Sequence, residues 1–475
     1  MSFSFDSFAG TGSTFPLRAH HSAVVLDDDG VWHPRSTRRA AKVLTHYRDI
    51  THIAVSAQAL WLGARNSVYL LPRGNFESYD APERLADALR ARVRSLPDGA
   101  RRLSSMDRID RISENAPKPR ATQTLIGLCI LVYLFQLALG FRVTLAGHYS
   151  PALVADGDVW RILTANLLHA QGGLAGLVHI TLNLLALMAL GFLVERPLGS
   201  ARTACVMGIS AVGAMLTGGV FENSMMVGAS GIVFGLAGSV LWLDYRHAED
   251  LPAWWRFPRR SLWIILAVNV AIGAVIPFIA LAAHIGGLIS GAVATAWVGR
   301  RILTRPALWI RAMCSALMFA TVISLATASM DVFANGDATA RYAARKARLP
   351  GISPGELNDH AWMIATAPEV TWEELGAALL LAERAVAETH RSEATLLDTL
   401  AEVQFGLGMN AAAIRTIDAA IALEPDEAYY REQRRRFTGE RARDDRPEYI
   451  PPMFRKPNEV GPPVEAEPEE PEIRV

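Results

Sequence analysis

The sequence predicts a mainly α protein: a polytopic membrane helical bundle, preceded by a small soluble α+β domain and followed by a soluble helical module. Three observations carry that expectation. Hydrophobic residues make up 51% of the 475-residue chain and charged residues only 20%. The apolar residues concentrate between about residues 121 and 330, in runs approaching the roughly 20 residues that span hydrocarbon. Lysine and arginine gather in alternate connections between those runs, as expected of loops kept on the cytoplasmic side.

Bulk charge excludes some functions. With 47 basic and 47 acidic side chains, no overall field draws nucleic acid to the chain, and no nucleic-acid partner is expected. The first residues, MSFSFDSFAGTGSTFPLRAHH, have neither a basic segment leading into an apolar one nor an arginine-rich, acid-poor character, so the first hydrophobic span is expected to be retained. Cys129, Cys205 and Cys314 stand singly in apolar segments and read as small hydrophobes, leaving no metal ligand set and no disulfide.

Residues 1–115 alternate short β-like runs such as SAVVL and SVYLLPR with turn signals such as DDDG, then change to the helical pattern APERLADALRARVRSL. This layout, strands followed by one helix, resembles the end of bacterial pleckstrin-homology-like domains. His20, His21 and Asp27 to Asp29 read as a solvated turn rather than a metal site.

Seven spans follow, at about 121–140, 176–194, 201–221, 228–243, 261–280, 284–299 and 307–328. Arg101, Arg102, Arg108, Arg111, Lys118 and Arg120 precede the first. Arg246, Arg256, Arg259 and Arg260 lie between the fourth and fifth, and Arg300, Arg301 and Arg305 follow the sixth. These segments are expected to be cytoplasmic, whereas ENSMM and PFIALAA carry no Lys or Arg and belong outside. The N-terminus is then cytoplasmic. With seven spans, the C-terminal module is periplasmic or extracellular, in a bacterial inner (plasma) membrane.

Residues 355–437 return to amphipathic helix. Ala401, Gly408, Ala413, Ile417, Ala420 and Pro425 stand at the offsets of a tetratricopeptide repeat, and Ala361, Trp362, Ala378, Ala382 and Ala385 resemble an earlier unit. Such a module implies a protein or peptide partner. Residues 438–475, rich in Pro and Glu, read as a disordered tail.

Ionisable or polar groups inside spanning segments are costly and raise a functional hypothesis. His179 and Asn183 share a helix face at i, i+4, Ser230 starts the fourth span, and His284 starts the sixth. These spans all run in the same direction, so the beginnings of their helices converge on one layer. Gly228, Gly231 and Gly235 lighten the fourth helix and Gly287 and Gly291 the sixth, which lets two backbones approach closely. Taken singly, the glycines are ordinary packing, and the serine, histidines and asparagine are interhelical or local hydrogen-bonding groups. Taken together they read as a Ser-His dyad. Ser230 is the nucleophile and His284 the base, with the Ser230 amide, Asn183 and His179 as candidate oxyanion donors.

These residues resemble the rhomboid family of intramembrane serine proteases. GASG at 228–231 is similar to its nucleophile motif, AHIGGLISG at 283–291 to its base motif, and HITLN at 179–183 to its oxyanion motif. Trp160 and Arg161 match the WR pair of its first external loop. Glu195, Leu198, Gly199 and Ser200 match the pattern after its second span, and Phe234 takes the place of an aromatic beneath the base. The resemblance covers roughly residues 121–300. It implies a six-helix core with one appended helix at 307–328 and a water-filled cavity, with transmembrane segments of membrane proteins as substrates and no cofactor. The alternatives are a catalytically silent rhomboid-like client-binding protein and a membrane-anchored tetratricopeptide scaffold.

Overall fold

The computed structural model describes residues 13–18, 22–36, 39–65, 67–114, 116, 118–221, 225–275, 280–333 and 338–447. The chain divides into two compact units, residues 1–332 and 333–475, each taken here by itself.

The first unit opens with antiparallel sheet. Strands β1 (Thr14–Leu17), β2 (Ser22–Leu26), β3 (Gly30–Ser36) and β4 (Arg39–His46) form one sheet in that order. Strands β5 (Ile50–Val55), β6 (Ala59–Ala64) and β7 (Ser67–Pro72) form a second. The Asp27 carboxylate accepts from the Asp29 amide at 2.8 Å and from the Trp32 indole at 3.1 Å, which makes Asp27 to Asp29 a self-bonded turn. His20 and His21 lie outside the described residues. Two helices close the domain where the sequence pattern offered one, α1 (Ala81–Arg94) and α2 (Gly99–Glu114). Leu85, Leu89 and Val93 of α1 bury against Ile50, Ile53, Leu60 and Leu62, as i, i+4 spacing requires. Beyond Gly99, α2 buries only Leu103, Met106 and Ile109, too thin a stripe to stand out among its charges.

The membrane-capable part runs from α3 (Arg120–Leu139) through three short helices, α4 (Phe141–Gly147), α5 (Pro151–Ala155) and α6 (Arg161–Thr164). It continues with α7 (Gly173–Leu198), α8 (Ser200–Phe221), α9 (Ser230–His247), α10 (Arg259–Val275), α11 (Leu281–Val298) and α12 (Leu308–Phe333). Five of these, α3, α7, α8, α11 and α12, are long and apolar enough to cross a membrane. Helices α9 and α10 occupy the places of the other two expected spans, but α9 ends in the polar run Asp244, Tyr245, Arg246 and His247, and the described part of α10 has 17 residues.

Glu195, buried in α7, accepts the Ala121 and Thr122 amides at 2.8 Å each and the Thr122 hydroxyl at 2.7 Å. A carboxylate from one helix thereby caps the N-terminus of another, where orphan N–H groups and the helix dipole both favour an anion.

The loop between α9 and α10 is held against the N-terminal domain. The Ala253 amide donates to Nδ1 of buried His52 at 3.0 Å, and Nε2 of that ring lies 2.9 Å from Asp110 on α2. Arg256 reaches Asp244 at 2.6 Å, the Ala64 carbonyl at 2.7 Å and the Thr51 hydroxyl at 3.2 Å. The buried cation is thus matched by a carboxylate and further acceptors, as burial demands.

The second unit comprises α13 (Ala338–Lys346), α14 (Pro354–Ala365), α15 (Trp372–Glu388), α16 (Ala394–Gly406), α17 (Asn410–Leu423) and α18 (Ala428–Thr438). Neighbouring helices pack in pairs. Ala361, Ala378, Ala382, Ala385, Ala401, Ala413 and Ala420 are fully buried at the contacts, and Gly408 turns α16 into α17 at φ +70°, a conformation that favours glycine. Thr371 and Glu374 form a reciprocal capping box at the start of α15. Residues 439–447, at the head of the stretch expected as a disordered tail, instead fold back on the module, because Arg443 and Arg446 find acceptors on α16. Residues 448–475 lie outside the described residues.

Between α16 and α18 the buried Asp398 accepts from the Tyr429 hydroxyl at 3.1 Å and the Gln433 amide at 3.2 Å. Burial, with the Glu402 charge as second cause, pushes its carboxyl up to about 7 from 3.8. The folded value lies above the unfolded one, so the folded state binds the extra proton. That stabilisation is fully present below the unfolded value and is lost as pH rises through about 7. The module's thermal transition in the full chain is expected to fall between pH 5 and 8, and Asp398→Asn to flatten the fall; an Asn variant with the wild-type slope contradicts this.

Candidate active site

The close approach of α9 and α11 builds the site. A methyl group added to Gly231 would strike the Ala214 side chain of α8, one on Gly287 would strike the Gly231 carbonyl, and one on Gly291 the Gly235 carbonyl. Helix α11 is therefore seated backbone to backbone on α9, with α8 alongside, a geometry that small residues alone permit. Further along, Thr295 of α11 donates to Ser239 of α9 at 2.7 Å, and Ser239 returns a bond to the Gly235 carbonyl of its own helix at 2.8 Å.

At the N-terminal ends of these two helices, Ser230 Oγ and His284 Nε2 stand 2.8 Å apart. Both side chains are half-buried. The His284 ring stacks on Phe234, one turn into α9, with centroids 4.3 Å apart and planes within 10°. Nδ1 of His284 is buried and meets no hydrogen-bond partner among the described residues.

His179 completes the cluster from α7. Gly228, at φ +128°, carries no side chain to block it: a Cβ there would lie 3.1 Å from His179 Nε2 and 3.8 Å from Ser230 Oγ. The Ala170 amide donates to His179 Nδ1 at 3.2 Å. A nitrogen that accepts holds no proton, so the neutral ring carries its hydrogen on Nε2, the atom facing Gly228 and Ser230. Asn183 is placed differently from a free donor. Its amide donates to the His179 carbonyl one turn earlier at 2.9 Å, which uses one of its two hydrogens within α7.

The other motif residues lie in the scaffold. Arg161 is fully buried, bonding Asp158 at 2.9 Å and the Leu145 and His148 carbonyls at 2.7 and 3.1 Å. Trp160 donates to the Ala146 carbonyl at 3.3 Å. Together they fold residues 141–170 into a compact loop, which is fastened to the segment before Ser230. Tyr149 and Met226 exchange backbone bonds at 3.0 and 3.2 Å, and the Gly228 amide donates to the Ala165 carbonyl at 2.9 Å.

Sequence reasoning missed Tyr149, Met226, Ala165 and Ala170, because they act through backbone groups and no spacing rule links them to residue 230. The sequence marked His169 only as the start of the connection to His179, and not that its buried ring lies 5.3 Å from that of His179. A second histidine ten residues before the motif histidine was the available signal.

Comparison with known proteins agrees in location. Residues 156–301 match the family described as the Rhomboid domain. The chain is 31% identical over 187 residues to Rhomboid protease GluP of Bacillus subtilis, covering 38% of this chain and 35% of that protein. It is 32% identical over 184 residues to Rhomboid protease GlpG of Photorhabdus laumondii, covering 38% and 61% respectively. It is 32% identical over 169 residues to RHOMBOID-like protein 4 of Arabidopsis thaliana, covering 34% and 39%. In each case the match spans less than two thirds of the relative. With five apolar helices of spanning length among the described residues, these likenesses support an integral membrane protein.

Gly287→Ala is expected to lower stability by about 1–3 kcal/mol, the usual cost of overpacking. Gly127→Ala, where a Cβ meets open space, is expected to leave it unchanged. Thermal denaturation in detergent checks this, and equal melting of the two variants contradicts it.

Proposed function

We propose that this protein is a rhomboid-type intramembrane serine endopeptidase that cleaves transmembrane segments of membrane proteins. The observation that carries the reading is the 2.8 Å contact between Ser230 Oγ and His284 Nε2 at an end of the bundle also reached by the His179 ring. The similarity to proteins named as rhomboid proteases supports it.

In the proposed mechanism, Ser230 Oγ attacks a peptide carbonyl carbon while its proton passes to His284 Nε2. The resulting oxyanion takes hydrogen bonds from His179 Nε2–H and from the amides opening α9, which have no intrahelical acceptor. Asn183 contributes its remaining amide hydrogen or, through the His179 carbonyl, steadies the turn that bears the ring. His284 then gives its proton to the departing amine, and a water molecule activated by the same ring releases the acyl group from Ser230. No carboxylate meets His284 Nδ1 among the described residues, so the arrangement works as a dyad, with Phe234 fixing the ring plane. A substrate helix must lose local hydrogen bonding before its carbonyl can be attacked, which favours small, helix-breaking residues near the cut.

The six-helix core then comprises α3, α7, α8, α9, α10 and α11, with α12 appended. The N-terminus and the basic loop between α9 and α10 face the cytoplasm, and the C-terminal module lies on the opposite side of a bacterial inner membrane. The N-terminal domain keeps its pleckstrin-homology-like reading, and the paired helices α14 to α17 that of two tetratricopeptide repeats.

Purified protein incubated with a transmembrane substrate tests the reading. Ser230→Ala and His284→Ala are each expected to lower cleavage to background. His179→Ala is expected to lower kcat by about 100-fold or more, the usual cost of an oxyanion donor. A silent client binder or an anchored scaffold predicts equal, negligible cleavage by wild type and Ser230→Ala, and that outcome overturns the proposal.

A further inference from the structure

The last described residues bear on what the C-terminal module recognises. From Gly439, at φ +86°, the chain turns out of α18 and runs back over the module as an irregular strap, described as far as Pro447. Three of its own arginines help to hold it. Arg441 reaches Glu432 at 3.2 Å. Arg443 donates to the Phe405 carbonyl at 3.2 Å and lies over the Phe405 ring, 4.8 Å from its centroid. Arg446 donates to Glu402 at 2.8 Å, with its guanidinium 5.8 Å from the centre of Trp362. Glu402 belongs to α16 and Trp362 to α14, so the seat of Arg446 is a product of tertiary structure.

The seat and its occupant differ in how firmly they are built. Glu402 is buried, its second oxygen is bonded by Arg436 of α18, and Gln433, Asp398 and Tyr429 beside it are buried and mutually hydrogen-bonded. By contrast, none of residues 439–447 is buried. The strap places no apolar side chain in the core and is retained through guanidinium groups, its own and that of Arg436, which donates to the Arg443 carbonyl at 3.0 Å. A preformed, water-excluded carboxylate beside an aromatic ring suits a planar cation, which bonds the one and stacks on the other. An occupant without apolar anchors is held there chiefly by tethering, which supplies a high effective concentration rather than intrinsic affinity.

We infer that the face formed by Trp362, Glu402 and Phe405 is a docking site for an extended segment of a partner protein presenting arginines, and that residues 441–446 occupy it as a tethered competitor. The partner engages when its own arginines replace Arg443 and Arg446 on the module. Recognition rests on two features a lysine supplies poorly: a guanidinium whose Nε and Nη2 both reach one Glu402 oxygen, at 3.3 and 2.8 Å, and a flat face for the indole.

The test uses the full-length protein in detergent and a fluorescent peptide identical to residues 439–447, with binding read by anisotropy. The peptide is expected to bind the combined variant Arg441→Ala, Arg443→Ala, Arg446→Ala at least tenfold more tightly than wild type, and Arg446→Gln alone to lie between them. On the same preparation of the combined variant, a peptide with alanine in place of the arginine at position 446 is expected to bind at least tenfold more weakly, and Glu402→Gln to remove binding of the parent peptide. Equal or absent binding to wild type and to the released variants, or indifference to the peptide's arginine, overturns the inference and leaves the strap a structural brace. Wild-type circular dichroism and thermal melting of the combined variant and of Glu402→Gln are required with each binding result, so that loss of folding is not read as loss of the seat.

Discussion

The site depends on how closely two helices can lie. Gly231 and Gly235 on α9 meet Gly287 and Gly291 on α11 with no room for a single added carbon, and this contact sets the 2.8 Å separation of Ser230 and His284. In hydrocarbon there is little hydrophobic drive between helices, so shape and close packing decide where they rest. A Cβ at Gly287 or Gly291 would strike the α9 backbone, and one at Gly231 or Gly235 would strike Ala214 or Ser210 of α8, so a side chain at any of these glycines displaces a helix on which the separation depends. The same approach leaves Phe234 as the floor on which the imidazole lies flat, so one packing decision sets both the distance and the ring plane.

Around that contact, the backbone does more than the side chains. Gly228 adopts a φ that side chains rarely adopt, and its missing Cβ leaves the space in front of His179 open. A single amide, that of Ala170, determines which nitrogen of His179 carries hydrogen. The loop of residues 141–170, stiffened inside by Arg161, holds the segment before Ser230 through paired bonds at Tyr149 and Met226. At the other end of α9, Arg256 and His52 tie the helix base to the N-terminal sheets. Helix α9 is thus restrained at both ends by elements distant in sequence.

Much of this was legible in the sequence, for physical reasons. Five of the seven spans expected from apolar run length coincide with helices of spanning length among the described residues, and the convergence of residues 179, 230 and 284 followed from counting helix directions. Glycine at three- and four-residue spacing pointed to close helix contact before any distance was known. The rest was illegible because it depends on backbone partners or on balance among neighbours. Helix α2 hides a three-residue stripe among arginines and aspartates. Glu195 matched a motif, yet nothing in its spacing reveals that it caps α3. The Asn183 amide turns back to its own helix, a choice that periodicity does not encode. Residues 439–447 looked too polar to fold, and they fold because Glu402 and Phe405 offer acceptors and rings to their arginines.

The central claim is that His284 activates the Ser230 hydroxyl. Labelling with a fluorophosphonate, followed by mass spectrometry of the modified residue across pH, tests it most directly, since the reagent phosphonylates a serine only when a neighbouring base removes its proton. The account predicts a single adduct on Ser230 in the wild-type protein and none in His284→Ala. An unmodified Ser230, or equal labelling with and without the imidazole, contradicts it.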